Sequence, residues 1–319
     1  MGASRAARVV RASAHAKINL TLRVLGVRPD GYHALRTTFQ TLALHDTLTF
    51  RFERGPFVLE STDPLCPVDE TNLVWRAAER VWRAAGRRGA PHGVRIQLTK
   101  RIPMQAGLGG GSSDAATALQ VLAAGWRARL APGGLYEIAA SLGADVPFFL
   151  RGGTALGLER GDLIYPLPDL PATWVTVVVP PFGVSTVDAY RWWDETGPDM
   201  REQRLRPVRR PSLRGRSARE RGWGPASIRD VGRAPLTTWL PAGDLANDLQ
   251  EPVAAHHPVI GRLVLALRRA GAAHAAMSGS GSAVFGLFEG RRAAAAGARA
   301  VDGRGRRVLL TRTRGRTRR

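Results

Sequence analysis

The chain has 319 residues, 44% of them hydrophobic, a formal net charge of +21 and one cysteine, Cys66. That length holds one large domain or two ordinary ones. A lone thiol excludes an internal disulfide and a cysteine zinc cluster, and it suits a reducing cytoplasm. No apolar run reaches the roughly 18 residues of a membrane span, and the basic, alanine-rich start Met1 to Arg11 lacks the apolar core of a signal peptide. The charge is uneven: residues 197–233 hold 11 Arg and 4 acids, and residues 291–319 hold 11 Arg and 1 acid. With almost no aromatic residues among them, these read as solvated appendages of a near-neutral core. They leave room for non-specific attraction to polyanions but do not build a dedicated nucleic-acid surface.

Arg8 to Leu25 alternates loosely and predicts a strand, with Lys17 and Asn19 on one face and Ile18 and Leu20 on the other. The chain has 45 Arg and only two Lys, Lys17 and Lys100. Lys17 is either a chance surface survivor or an ammonium kept as a compact point charge, which arginine cannot replace. Its apolar neighbours favour the second. Pro29-Asp30-Gly31 signals a turn, and Tyr32 and His33 follow at its edge. Thr37 to Phe52 predicts one or two strands, and Asn72 to Ala85 has helical spacing.

The stretch Val94 to Ala116 reads strand, glycine loop, helix, with Pro103-Met104-Gln105-Ala106-Gly107-Leu108-Gly109-Gly110-Gly111-Ser112-Ser113 as the loop. A helix N-terminus offers unpartnered N–H groups and the positive end of its dipole, and glycines let a ligand approach, so this predicts a phosphate site. A flexible loop with a capped helix is the plainer alternative. No Lys follows the glycines as a P-loop requires, and the third glycine of a dinucleotide fingerprint would fall at Ser112.

Gly133 to Leu142 predicts a short helix. In Gly143-Ala144-Asp145-Val146-Pro147-Phe148-Phe149 a single carboxylate sits among apolar residues. Asp145 is either a helix cap before Pro147 or a catalytic base with a cationic partner. Gly152 to Gly157 is a second glycine turn entering a strand. Trp174 to Val179 predicts a buried strand, and Ser185 to Tyr190 a capped helix start. Residues 197–243 read as a long basic insertion. Helices follow Asn247-Asp248-Leu249 and span Val259 to Ala270. A third glycine turn, Ser278-Gly279-Ser280-Gly281, then enters a strand without matching a hydrolase elbow. A helix, a strand and a basic tail close the chain.

Taken together, the Lys17 strand, the glycine-serine loop and the Ser278 turn resemble the superfamily of galactokinase, homoserine kinase, mevalonate kinase and phosphomevalonate kinase. Ala16-Lys17-Ile18-Asn19-Leu20, Arg28-Pro29-Asp30-Gly31-Tyr32-His33, Gly143 to Phe149 and Asn247-Asp248-Leu249 are similar to its family acting on 4-diphosphocytidyl-2-C-methyl-D-erythritol. The resemblance implies a mixed α/β two-domain fold with the active site in the cleft. An ATP-binding domain of ribosomal-protein-S5-like type would span 1–165, and a ferredoxin-like substrate domain 166–290. Residues 291–319 would close the second domain and end in an Arg-rich tail. It implies transfer of the γ-phosphate of ATP to a hydroxyl of a small cytidylated polyol in the non-mevalonate isoprenoid pathway, with Mg²⁺ carried on the ATP phosphates. Asp145 matches the catalytic base and Lys17 its partner. Asn19 matches a polyol-binding position, and Tyr32, His33 and Tyr190 match the cytidine site. Pro103, Gly107, Leu108, Gly109, Gly110, Gly111, Ser112 and Ser113 match the ATP loop, and Ser278, Gly279, Ser280 and Gly281 a phosphate-side turn. His15 departs from the family's usual proline.

Overall fold

The computed structural model describes residues 8–196 and 245–316, so the basic segment 197–243 lies outside the described residues. The first lobe is organised on a long antiparallel hairpin, β1 (Arg8–Val27) and β2 (His33–Phe52). Its turn is set by Gly31 at φ +81° and by Arg28 N–H donating to the Tyr32 carbonyl at 2.7 Å. The other edge of β2 is shared. Residues 35–40 pair with β5 (Thr154–Glu159), and residues 47–51 with β4 (Arg95–Thr99). β3 (Val58–Ser61) runs parallel to β4, and β6 (Leu163–Pro166) extends β5. At the fork, Thr41 N–H donates to the Gly153 carbonyl and Arg314 N–H to the Thr41 carbonyl, both at 2.9 Å.

Four helices cover one face: α1 (Leu73–Ala84), α2 (Gly110–Gly125), α3 (Gly134–Leu142) and α4 (Val146–Phe149). The Asn72 side chain caps α1 by accepting from Val74 N–H at 2.8 Å. α2 is wedged between sheet and helices. Ala115, Ala116, Ala118, Leu119 and Leu122 are all buried, and a Cβ on Gly125 would lie 2.1 Å from the Phe52 ring.

The second lobe is a four-stranded antiparallel sheet in the order β10-β7-β9-β8, formed by β7 (Trp174–Val179), β8 (His274–Met277), β9 (Val284–Phe288) and β10 (Arg307–Arg312). The helices α5 (Thr186–Asp194), α6 (Gln250–His256), α7 (Val259–Arg269) and α8 (Arg291–Val301) complete a βαββαβ unit of ferredoxin type. The lobes share cores. Ala16, Ile18 and Leu20 of β1 pack with Val175, Val177 and Phe285, and Leu22 and Val24 join Leu263 and Met277.

Three expectations change. Thr37 to Phe52 is a single strand that begins earlier, at His33. The Lys17–Leu20 stretch is buried on both faces, because the second lobe covers the apolar one. The basic stretch 291–316 is not an appendage: α8 buries Ala294 and Val301, and β10 is an edge strand whose arginines point outward. Arg316 then hydrogen-bonds Asp169 and the Leu167 carbonyl.

Candidate active site

β1 is irregular between His15 and Lys17. The irregularity aims the Lys17 N–H at the glycine loop, where it donates to the Leu108 carbonyl at 2.9 Å. The Lys17 ammonium, with its side chain only 4% exposed, donates to Asn19 Oδ1 at 2.6 Å and lies 3.2 Å from Asp145 Oδ2. It also sits 5.6 Å from the centre of the Phe39 ring. Asn19 Nδ2 donates to Thr37 Oγ1 at 2.8 Å, and that hydroxyl donates to the Thr21 carbonyl at 2.7 Å. The chain of bonds fixes the ammonium from behind. Asp145 occupies the N-cap position of α4, yet its side chain caps nothing. At 33% exposed, the carboxylate keeps an open side toward the cleft. The side chain is therefore the ion-pair partner of Lys17 and not the cap of α4.

The glycine loop packs against the third glycine turn. Gly107 has φ +74°, and a Cβ there would fall 2.2 Å from the Ser278 carbonyl oxygen. Gly109, at φ +70°, is the N-cap of α2, and a Cβ there would fall 2.7 Å from the Phe149 ring and 3.0 Å from Lys17 Cγ. Ser278 is fully buried. Its hydroxyl donates to the Gly107 carbonyl at 3.0 Å and faces the Asn19 N–H at 3.4 Å, so it clasps loop to strand instead of presenting itself to the cleft. Asn247 Nδ2 holds the Met277 and Gly279 carbonyls, each at 2.8 Å. The Asp248 carboxylate takes the Val24 N–H and the Arg23 guanidinium. Gly279, Ser280 and Gly281 reach the cleft wall, with Ser280 hydrogen-bonded to Thr186.

Ser112 and Ser113 part company. Ser112 lines the cleft, whereas Ser113 is buried and faces a different cavity behind α2. Adjacent helical residues point about 100° apart, which gives the two side chains different surroundings. Gly110 and Gly111 form the first turn of α2, Leu108 is buried beneath it, and Pro103 lies on the run-in.

The cleft has a volume of about 1240 Å³ and runs from Lys17, Ser112 and Asp145 to Tyr32, His33 and Tyr190. The His33 ring stacks on Tyr190 at 4.6 Å with 20° between planes and meets Trp193 edge-on. Its Nε2 lies 3.0 Å from Asp194 Oδ1. Tyr32 is exposed at the rim, with the Arg160 guanidinium 5.4 Å from its ring. Burial, and then the Asp145 charge, hold the Tyr190 phenol well above its ordinary pKa, so it stays neutral.

One buried cluster was not anticipated from the sequence. Lys100 Nζ bridges Asp46 Oδ2 at 2.5 Å and Asp114 Oδ2 at 2.8 Å. Asp46 also accepts from the N–H groups of Arg101 and Ile102. Burial pushes the Asp114 carboxyl up to about 7 against the pull of Lys100. For Lys100, burial works against the charge, but the two aspartates outweigh it and raise its pKa. The cluster ties the end of β4 to the first turns of α2, directly behind the glycine loop. The signal was present: a second rare lysine, and an aspartate heading the apolar run of α2.

A glycine-rich anion loop at a helix start, a lysine–aspartate pair facing it, and a ferredoxin-type lobe closing the cleft define a small-molecule phosphotransferase. Family models agree: GHMP kinases N terminal domain matches residues 72–153, and GHMP kinases C terminal matches residues 236–307. A relative from Moorella thermoacetica named 4-diphosphocytidyl-2-C-methyl-D-erythritol kinase is 42% identical over 279 residues, covering 88% of this chain and 90% of its own. One of the same name from Solibacter usitatus is 45% identical over 289 residues, covering 87% and 81%. A crystal structure of 4-(cytidine 5'-diphospho)-2C-methyl-D-erythritol kinase superposes with TM-score 0.73 at 35% identity, covering 96% of this chain and 100% of that one. Homoserine kinase from Cytophaga hutchinsonii shares the fold, with TM-score 0.65 at 17% identity over 99% of this chain and 97% of that one. The chain belongs to the 4-diphosphocytidyl-2-C-methyl-D-erythritol kinase family of the GHMP kinases. Among the described residues no helix is long and apolar enough to cross a membrane.

Proposed function

We propose that the protein transfers the γ-phosphoryl group of ATP to the 2-hydroxyl of 4-(cytidine 5'-diphospho)-2-C-methyl-D-erythritol, in the non-mevalonate isoprenoid pathway and in the cytoplasm. The observation that carries this is the Lys17–Asp145 pair at 3.2 Å, set between the glycine loop and the stacked His33 and Tyr190. The open oxygen of Asp145 accepts the hydroxyl proton as the O–P bond forms. The bond from the γ-phosphorus to the bridging oxygen breaks, and ADP leaves. Lys17, held by Asn19, stabilises the charge developing on the attacking oxygen. Gly107 to Ser112 position the triphosphate through backbone N–H groups, so most of the acceleration comes from placement and charge neutralisation.

Residues 1–165 act as the nucleotide lobe and residues from 166 onward as the substrate lobe. Among the described residues no group of three or more His, Cys, Asp or Glu could hold a metal. Mg²⁺ would ride on the ATP phosphates with the Ser112 hydroxyl as a protein contact, where it would neutralise phosphate charge. Tyr32 and His33 choose the base: His33 offers its free ring nitrogen to the cytosine edge, and Tyr32, exposed at the rim, supplies a ring to cover it. The test is ADP release from the purified protein with ATP, Mg²⁺ and the cytidylated substrate, set against mevalonate and homoserine. Turnover with the first alone is expected. Turnover with mevalonate or homoserine and none with the cytidylated substrate would reject the assignment.

A further inference from the structure

Between the end of β4 at Thr99 and the glycine loop, the chain is held by side chains. Lys100 N–H donates to the Thr62 hydroxyl at 3.1 Å. Asp46 Oδ1, on β2, accepts from the Arg101 N–H and from the Ile102 N–H, the latter at 2.8 Å. The other oxygen of Asp46 takes the Lys100 ammonium, whose second bond goes to Asp114 in the first turns of α2. The chain from Lys100 to Asp114 is thereby closed into a ring by one charge-assisted bond, and Asp46 anchors that ring to β2 at three points. The glycine loop lies inside the ring. Its two ends lie close together: a Cβ on Gly110 would be 3.0 Å from Ile102 Cγ2 and 3.4 Å from Lys100 Nζ. The three charged side chains are each at most 5% exposed, and none of them lines the cleft.

Apolar side chains could fill this space at less desolvation cost. What the charged groups add is short, directional bonds. We propose that Asp46, Lys100 and Asp114 are positioning residues for the phosphoryl donor: the ring they close sets the span of the loop, and with it the backbone N–H groups of Gly107 to Ser112 that receive the ATP phosphates. This role rests on the glycine loop being the nucleotide site. The lever is short, because Asp114 stands two residues from Ser112 on α2. Without the Lys100 bond to α2, the entry of the loop and the start of the helix move independently. Misplacement by about 1 Å costs up to about a hundredfold in rate. The far end of the cleft, where His33 stacks on Tyr190, shares none of these bonds and would not feel the change.

The test compares Asp114→Leu with Asp114→Asn in the whole protein. Both remove the same charge, but only Asn keeps an acceptor for Lys100. Steady-state kinetics with Tm alongside separate placement from stability. Asp114→Leu should raise KM for ATP about tenfold and lower kcat about tenfold or more, with KM for the cytidylated substrate at the parent's value. Asp114→Asn should recover most of that loss. Asp46→Asn, which offers one acceptor oxygen where the carboxylate offers two, should also raise KM for ATP, and it decides the matter if the leucine variant does not fold. A lowered Tm with the parent's KM for ATP overturns the positioning role, as do identical kinetics for the Leu and Asn variants. A fluorescent ATP analogue titrated into the parent keeps the two readings apart. A parent that binds none overturns the nucleotide-loop reading and the positioning role with it. A parent and variants that bind it alike overturn the positioning role alone.

Discussion

Replacing Asp114 by Asn should stabilise the protein in mild alkali and destabilise it in acid. Lys100, Asp46 and Asp114 place one positive and two negative charges in the interior, a net charge of −1. Asp114 Oδ1 has no hydrogen-bond partner, so the second negative charge is not fully compensated. That is why burial raises this carboxyl from 3.8 to about 7. The sign follows from proton counting: between about pH 4 and pH 7 the folded protein holds a proton on Asp114 that the unfolded chain does not. Stability from this group is thus full below pH 4 and is lost as pH rises toward 7. The displacement corresponds to a ceiling of about 4 kcal/mol at alkaline pH. Asn keeps the shape and leaves Lys100 and Asp46 as a neutral pair, at the expense of one weaker bond to Lys100 and an orphan amide. A net gain of about 1–2 kcal/mol at pH 8 is expected. The assay is thermal unfolding at pH 5 and pH 8: Tm should rise by about 2–4 °C at pH 8 and fall at pH 5, where only part of the charge penalty is present to be relieved while the weaker bond and the orphan amide cost the same. An equal change at both pH values, or a loss at pH 8, would refute the charge argument and leave Asp114 as a purely geometric strut.

Asp145→Asn should lower kcat by about 10²–10⁴-fold while a fluorescent ATP analogue still binds, since the carboxylate touches Lys17 and not the loop; retained turnover would remove it as the base. Lys17→Arg should also fail, because a planar fork cannot fit where a Cβ on Gly109 would lie 3.0 Å from Lys17 Cγ; steady-state kinetics near the parent's would reduce Lys17 to bulk charge. Gly107→Ala should cost about 2–4 kcal/mol in urea unfolding, combining left-handed backbone strain with overpacking, because its Cβ falls 2.2 Å from the Ser278 carbonyl; an undisturbed midpoint would show that the loop shifts freely. His33→Ala should raise KM for the cytidylated substrate and leave KM for ATP alone, since it removes the ring that Tyr190 stacks on; a matched rise in both would place His33 outside base recognition.

Lys17 was legible because a chain that writes arginine almost everywhere kept a lysine between apolar residues. Asp145 was legible as an anomaly but not as a role, because a cap and a base share one local pattern. Only long-range facts, that its side chain caps nothing and that Lys17 lies beside it, remove the cap and leave the base as the reading to be tested. The Lys100 cluster escaped because its carboxylates come from positions 54 and 14 residues away, joined by the fold and by no periodicity. The different surroundings of the two serines were hidden for a simpler reason: α2 already runs at Gly110, and its turn sets Ser113 about 100° from Ser112. The length of β2 was hidden too. Its outer edge changes partner in mid-strand, a long-range feature that leaves no local pattern to tell one strand from two.

The bonds around the cleft divide its two ends mechanically. At the glycine-loop end one lobe is tied to the other by Ala283 N–H to the Ala106 carbonyl at 3.2 Å and by the Ser278 hydroxyl to the Gly107 carbonyl, while Lys17 N–H to the Leu108 carbonyl fixes the glycine loop to β1 within the first lobe. Beneath these bonds Ala16, Ile18 and Leu20 fill a core made by both lobes, so relative movement there would break buried contacts. Phosphoryl transfer demands little covalent chemistry and close positioning, and this end is built for positioning. At the other end Tyr32 is 59% exposed on a five-residue turn, and His33 is held by a ring stack and one bond to a half-exposed carboxylate on α5. Such contacts rearrange at little cost. On the proposed assignment of the two ends, adjustment to substrate belongs to the rim formed by the β1–β2 turn and α5, and the triphosphate would meet a frame that is already set.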